Sequence, residues 1–143
     1  MMIISFAHTT PALLAGRKTV TRRQWDDRYA ARFREGDLVA AYDRSPRIGG
    51  RQVAVIRLTQ APRREPLTEM PDADWEGEGF AYLYEHPGQL PKTLWGAPCR
   101  RESFSRESFS LHQRRADWMW TVRFELLGLT PAGAKMLAEI EGV

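Results

Sequence analysis

Two stretches of this chain alternate in steps of two, and that period limits the folds open to it. Within Gln52 to Gln60, Ala54, Ile56 and Leu58 fall on one side, and Val53, Val55, Arg57 and Thr59 on the other. From Trp118 to Leu126, Trp120, Val122, Phe124 and Leu126 oppose Met119, Thr121, Arg123 and Glu125. A two-residue period places side chains on opposite faces of a strand, not along a helix stripe. Met1 to Phe6 and Leu38 to Tyr42 read as shorter strands. These strands are not interleaved with regular helices, so repeated βαβ units are excluded. The expected fold class is α+β: a small β-barrel with two or three short helices.

The helical signals are brief. Thr10-Pro11 followed by Ala12, Leu13, Leu14 and Gly16 predicts a compact helix, with Thr10 as N-cap, Pro11 in the first turn and Gly16 at a left-handed stop. Asp26 to Phe33 offers a helical turn, and Glu35-Gly36-Asp37 a reverse turn. Pro71 to Glu85 predicts a helix despite Gly77 and Gly79. Residues 86 to 101 hold three prolines and two glycines and read as a long surface loop. The loop from Arg44 to Arg51 carries three arginines. A last helix is expected from Thr130-Pro131 to Ile140. The division expected is one domain over residues 1–128 and a C-terminal helical tail over 129–143.

Composition narrows the class further. The chain has 143 residues, 43% hydrophobic and 27% charged, as in a soluble globular domain rather than a disordered segment. No apolar run reaches the ~20 residues of a membrane helix, so no membrane partner is expected. The single cysteine, Cys99, cannot form an internal disulfide and fits a reducing compartment, with the cytoplasm as the expected location. Of 21 basic residues only Lys18, Lys92 and Lys135 are lysines. Arginine suits phosphate and carboxylate recognition, although base composition alone can also enrich it. His8, His86 and His112 are scattered, so neither a metal nor another cofactor is expected. An identical pentapeptide stands twice in tandem, at 101–105 and 106–110, far below the period of a solenoid.

The densest chemical signal is Gly16-Arg17-Lys18-Thr19-Val20-Thr21-Arg22-Arg23, with four cations and two hydroxyls after a glycine. Gly16, Lys18 and Arg23 fit the Gly-x-Lys-x-x-x-x-Arg motif of ASCH domains, which are PUA-like small barrels. The sequence around it also resembles that family: a short helix before the motif, Phe33 to Leu38 at a strand entry, Leu67-Thr68-Glu69 and then Glu78-Gly79-Phe80 at a second helix, and a closing tryptophan-rich strand. The resemblance runs from about residue 3 to 127. It implies a cleft beside the first helix and a nucleotide- or RNA-related ligand. Some members are similar to a bacterial amidohydrolase of N4-acetylcytidine. Carried over from its pattern, Lys18, Thr21 and Glu78 are the catalytic candidates, and Arg23 joins them at the ligand. The chain differs in its arginine loop and its proline-rich segment, both able to reshape the pocket mouth.

The chemistry of that set is coherent. A threonine hydroxyl needs an adjacent base to act as nucleophile. A lysine serves as that base when burial or neighbouring cations, here Arg17, Arg22 and Arg23, depress its pKa. A glutamate can protonate a leaving amine or hold an amino group. In a regular strand Lys18 and Thr21 would point to opposite faces, so the backbone between them is expected to be irregular. Arg22, Trp25, Tyr42 and Trp75 complete the candidate ligand-binding residues. The tryptophans fit base stacking, and more readily ordinary core packing. The expected partner is a nucleoside or single-stranded RNA. Hydrolysis of an N-acylated base, binding without chemistry, and metal-independent RNA cleavage all remain open on sequence alone.

Overall fold

The computed structural model describes residues 1–142. In chain order its regular elements are β1 (Met2–Ser5), α1 (Thr10–Leu14), β2 (Val20–Arg23), α2 (Asp27–Ala30), β3 (Leu38–Tyr42), β4 (Gln52–Leu58), β5 (Arg63–Pro66), α3 (Asp74–Gly77), α4 (Phe80–Glu85), β6 (Thr93–Leu94), β7 (Ala97–Pro98), α5 (Arg106–His112), β8 (Trp118–Leu129) and α6 (Pro131–Ile140). The main sheet runs β1-β3-β4-β8-β2, and β5 pairs with β8 beside this path. Only β1 and β3 are parallel; β3–β4, β4–β8, β2–β8 and β5–β8 are antiparallel.

The α+β class and the shared sheet of Leu38–Tyr42, β4 and β8 match expectation. Two features differ. The sheet is an open half-barrel, because the edge strands β1 and β2 do not pair with each other. Each has only four residues, and one side chain spans the seam: Arg23 Nη2 donates to the Ser5 carbonyl at 2.7 Å. There are also six α-helices among the described residues rather than two or three. The segment 71–85 splits into α3 and α4 at Glu78-Gly79, and part of the tandem repeat folds as α5.

The core explains the alternation. Val39, Ala41, Val53, Ala54, Ile56, Leu58, Val122 and Phe124 pack with Ile4, Phe6, Leu13, Leu14 and Phe33 in one buried cluster. Register shifts in β3 and β4 interrupt the strict period and curl the sheet. Helix α6 packs Met136, Leu137 and Ile140 against this cluster, and Thr130 caps it by accepting from the Gly133 amide at 3.1 Å. Thr10 was expected to cap α1. Instead it lies inside the helix, and a 3-10 turn at Ala7–Thr9 leads in. Gly16 ends the helix at φ 77°, as expected.

The tandem repeat has a packing role. Its two phenylalanines, Phe104 and Phe109, are both buried, each in a separate cluster. Both lie against Phe80, at ring-centroid distances of 5.8 and 6.3 Å. Ser105 between them caps α5 by accepting from the Ser108 amide. Repeating the pentapeptide thus supplies two phenyl rings that both meet Phe80, one from each cluster.

Candidate functional site

The seam left open between β1 and β2 leads into a cavity of about 700 Å³. Ser5, Phe6 and His8 line it from the end of β1, and Thr21, Arg22 and Arg23 from β2. Glu78 and Phe80 come from the α3–α4 junction, and Phe104 and Ser108 from the tandem repeat. The hairpin of β6 and β7 contributes Leu94, Trp95, Ala97 and Pro98. The proline-rich segment is therefore not a plain surface loop: its centre forms a two-stranded wall of the cavity.

Lys18 is held here by the backbone on both sides. Its amide and that of Arg17 donate to the Ala12 carbonyl, and the Thr19 amide donates to the Gly77 carbonyl at 2.7 Å. Regular strand begins only at Val20, so Lys18 lies in irregular backbone and can share the cavity with Thr21. Gly79 makes the approach possible. It stands at φ 89°, and a Cβ there would lie 2.7 Å from Ala12 Cβ and 3.6 Å from Lys18 Cβ.

Lys18 is 2% exposed. Its Nζ donates to the Glu78 carbonyl at 2.7 Å and to Glu78 Oε1 at 3.4 Å. Burial pulls its pKa from 10.5 to about 8; the Glu78 carboxylate opposes this, and Arg23 and Arg22 add to it. Arg17 instead turns its guanidinium onto Glu76 and Glu85. Glu76, two residues before Glu78, thus belongs to an outer ion pair.

Arg22 Nη1 donates to Glu78 Oε2 at 2.7 Å, and its Nη2 to Asp74 Oδ2 at 2.6 Å. Arg123 makes a two-pronged contact with Asp74 at 3.0 and 2.9 Å. Burial alone would raise the Asp74 pKa; the hydrogen bonds from Arg123 and Arg22 outweigh it and hold the carboxyl below its ordinary range. The chain of contacts therefore runs from the half-buried Arg123 through Asp74, Arg22 and Glu78 to the buried Lys18.

Thr21 is buried, and its hydroxyl accepts from Arg23 Nε at 3.1 Å. It makes no hydrogen bond to Lys18. Arg23, whose pKa burial lowers, also lies over the Phe6 ring at 5.6 Å.

The other candidates lie elsewhere. Trp25 stacks on Phe33 at 4.6 Å and 8° and meets Tyr29 edge-on, so it packs against the core. Trp75 donates from Nε1 to the Phe104 carbonyl at 2.9 Å and joins the Leu67, Met70 and Phe109 cluster. Tyr42 sits at the end of β3 opposite Ser5. None of these three lines the cavity: Trp25 and Trp75 are corrected to packing residues, and Tyr42 to a sheet position outside it. A flat ring near a basic motif in sequence does not fix which way the ring points. Among the described residues no group of three or more His, Cys, Asp or Glu is arranged to hold a metal, and no helix is long and apolar enough to cross a membrane.

Sequence reasoning missed Asp74, Arg123, His8 and Trp95. Asp74 had a signal: it stands four residues before Glu78, a spacing that brings two helix side chains together. His8 lies in the 3-10 turn after β1, and burial, with Lys18 and Arg23 nearby, lowers its pKa from 6.5 to about 4. Between those values the unfolded chain binds the proton and the folded one does not, so stability rises with pH there. His8 thus contributes fully above about 6.5, and that share is lost as pH falls through about 4. Urea unfolding at pH 7 and pH 4.5 should show a smaller acid loss for His8→Asn than for the wild type. An equal loss would contradict this placement.

No family model matches the chain, and no curated protein does. Among solved structures, a protein of Enterococcus faecalis described under DUF984 matches with a TM-score of 0.51 at 18% identity, covering 89% of this chain and 76% of that one. DUF984 is related to the ASCH and PUA-like folds. What this likeness shows for the present chain is its fold, an α+β half-barrel.

Proposed function

We propose that this chain is an ASCH-type domain whose cavity takes a nucleobase, and that it hydrolyses N4-acylated cytidine-type nucleosides without a metal. The observation that carries this reading is Lys18: an amine 2% exposed, facing a cavity of about 700 Å³, with a pKa brought down to about 8. A lysine so placed is a base near neutral pH. A volume of this order suits one nucleoside. The surrounding walls favour it over a long RNA strand, which needs an open basic track.

The chemistry follows from the neighbours. The Arg23 guanidinium donates to the Thr21 oxygen and so favours its ionised form. Neutral Lys18 turns from the Glu78 carbonyl and takes the Thr21 proton as Oγ1 bonds to the acyl carbon. Catalytic hydrogen bonds often tighten only with substrate in place. The tetrahedral adduct collapses, the bond to N4 breaks, and the ammonium returns its proton to that nitrogen. Water, deprotonated by the same amine, then adds to the Thr21 ester; the bond to Oγ1 breaks, the ammonium returns its proton to Oγ1, and the acyl group leaves as the free acid. Glu78, paired with Arg22 and Lys18, is a carboxylate and accepts from the base rather than protonating the leaving group.

Under this reading kcat/KM for N4-acetylcytidine rises about tenfold per pH unit and levels off near pH 8, where Lys18 becomes neutral. A flat profile between pH 6 and 9 would remove Lys18 as the base. A second reading, nucleoside binding without turnover, has its own support: the Thr21 hydroxyl is bonded to Arg23 and not to Lys18. A titration with salt separates both from RNA binding. An uncharged nucleoside should bind equally at 50 and 500 mM salt, whereas RNA affinity falls with a log–log slope of roughly −0.7 per phosphate contacted.

A further inference from the structure

We propose that Trp95, at the tip of the β6–β7 hairpin, is the specificity residue that stacks on the ring of the ligand, closing the cavity over a planar heterocycle. The proposal rests on the nucleobase reading above and names the residue that recognises the base.

The hairpin turn consists of Trp95 and Gly96, both at positive φ, 52° and 78°. Two-residue turns of this kind favour asparagine or aspartate before glycine, because a bulky residue is strained there. A tryptophan is thus the wrong residue for the turn itself. Nor does the indole serve the core: at 88% it is the most exposed large hydrophobic side chain among the described residues. Strain and exposure coincide on one side chain, and that side chain lines the cavity.

The ring has company. Its centroid lies 5.8 Å from the His8 ring at 78°, and His8 lies 5.8 Å from Phe104, which lies 5.8 Å from Phe80. All four line the cavity and form one aromatic wall. The polar groups Lys18, Thr21 and Glu78 line the same space. A ligand with a flat π face and a polar reactive edge matches both. Stacking under the indole would also cover apolar surface now in water. His8 is uncharged at neutral pH and does not repel a cationic or polar edge.

The test uses the full chain, calorimetric binding of cytidine, N4-acetylcytidine, indole and quinoline as flat heterocycles that are not nucleobases, and non-aromatic N-acetyl amines, and melting curves. Base stacking on an aromatic residue is worth roughly 5- to 150-fold in affinity. Trp95→Ala should weaken nucleoside binding by that factor, and Trp95→Phe should keep most of it. Trp95→Asn should weaken binding equally while raising the melting temperature, because it suits the turn. The non-aromatic amines should be indifferent to all three changes. If the wild type binds nucleosides and Trp95→Ala binds them as tightly, the stacking role fails while the nucleobase reading stands. If nucleosides do not bind but other flat heterocycles do, in a Trp95-dependent way, the nucleobase reading fails and the stacking role stands. Binding of no aromatic ring at all overturns both.

Discussion

Lys18→Ala is expected to lower kcat/KM for N4-acetylcytidine by about 10²- to 10⁴-fold, the usual contribution of a general base. Thr21→Ala should cost a similar factor by removing the attacking oxygen. The two losses should not add, because a base and the nucleophile it activates act as one unit. The double variant is then no slower than the worse single one. In a site that only binds, Lys18→Ala weakens affinity, Thr21→Ala changes little, and no rate exists to lose. Melting curves decide whether a lost rate reflects chemistry or unfolding. Removing Lys18 leaves the Glu78 carboxylate still paired with Arg22, so the fold should persist.

Asp74→Ala is expected to destabilise the fold by about 3–5 kcal/mol, the cost of removing one partner from a buried ion pair. The Asp74 carboxyl accepts from two arginines on two strands, and the Arg22 side chain is itself only 7% exposed. Without Asp74, Arg22 and Arg123 face each other across that gap with only Glu78 to answer for Arg22. Asp74→Asn keeps the shape and some hydrogen bonding, and should cost less. Urea unfolding of both variants gives the two numbers. A loss under about 1 kcal/mol for Asp74→Ala would show that this network is dispensable to the fold.

The legible part of the fold was the part set by local periodicity. Burial on one face is enough to mark β4 and β8, and Leu38–Tyr42 has the bounds read from its apolar run. Missed elements lacked such a period. β5, Arg63–Pro66, is a charged strand held by pairing with β8 alone, and the β6–β7 hairpin is only two residues a side. The break between α3 and α4 depends on the close packing of Gly79 against Ala12, a contact between parts of the chain 67 residues apart, counting from 12 to 79.

The candidate site divides in the same way. Lys18, Thr21, Arg22, Arg23 and Glu78 reach one cavity because the motif follows a helix stop and Glu78 precedes a tight helical turn. Trp25, Tyr42 and Trp75 were placed by sequence proximity or composition; packing turned the two tryptophans elsewhere, and the register of β3 sets Tyr42 outside the cavity. Trp95 was hidden for the opposite reason. It lies in a proline-rich stretch with no pattern, and only the turn dihedrals and its exposure single it out.

Incubation of the purified chain with a panel of N4-acylcytidines and labelled single-stranded RNA, followed by mass spectrometry of the products, tests the central claim most directly. The account predicts release of the acyl group as free acid, formation of cytidine, intact RNA, and loss of both products in Lys18→Ala. Unchanged acylcytidines across the panel, or cleavage of the RNA strand, would contradict it.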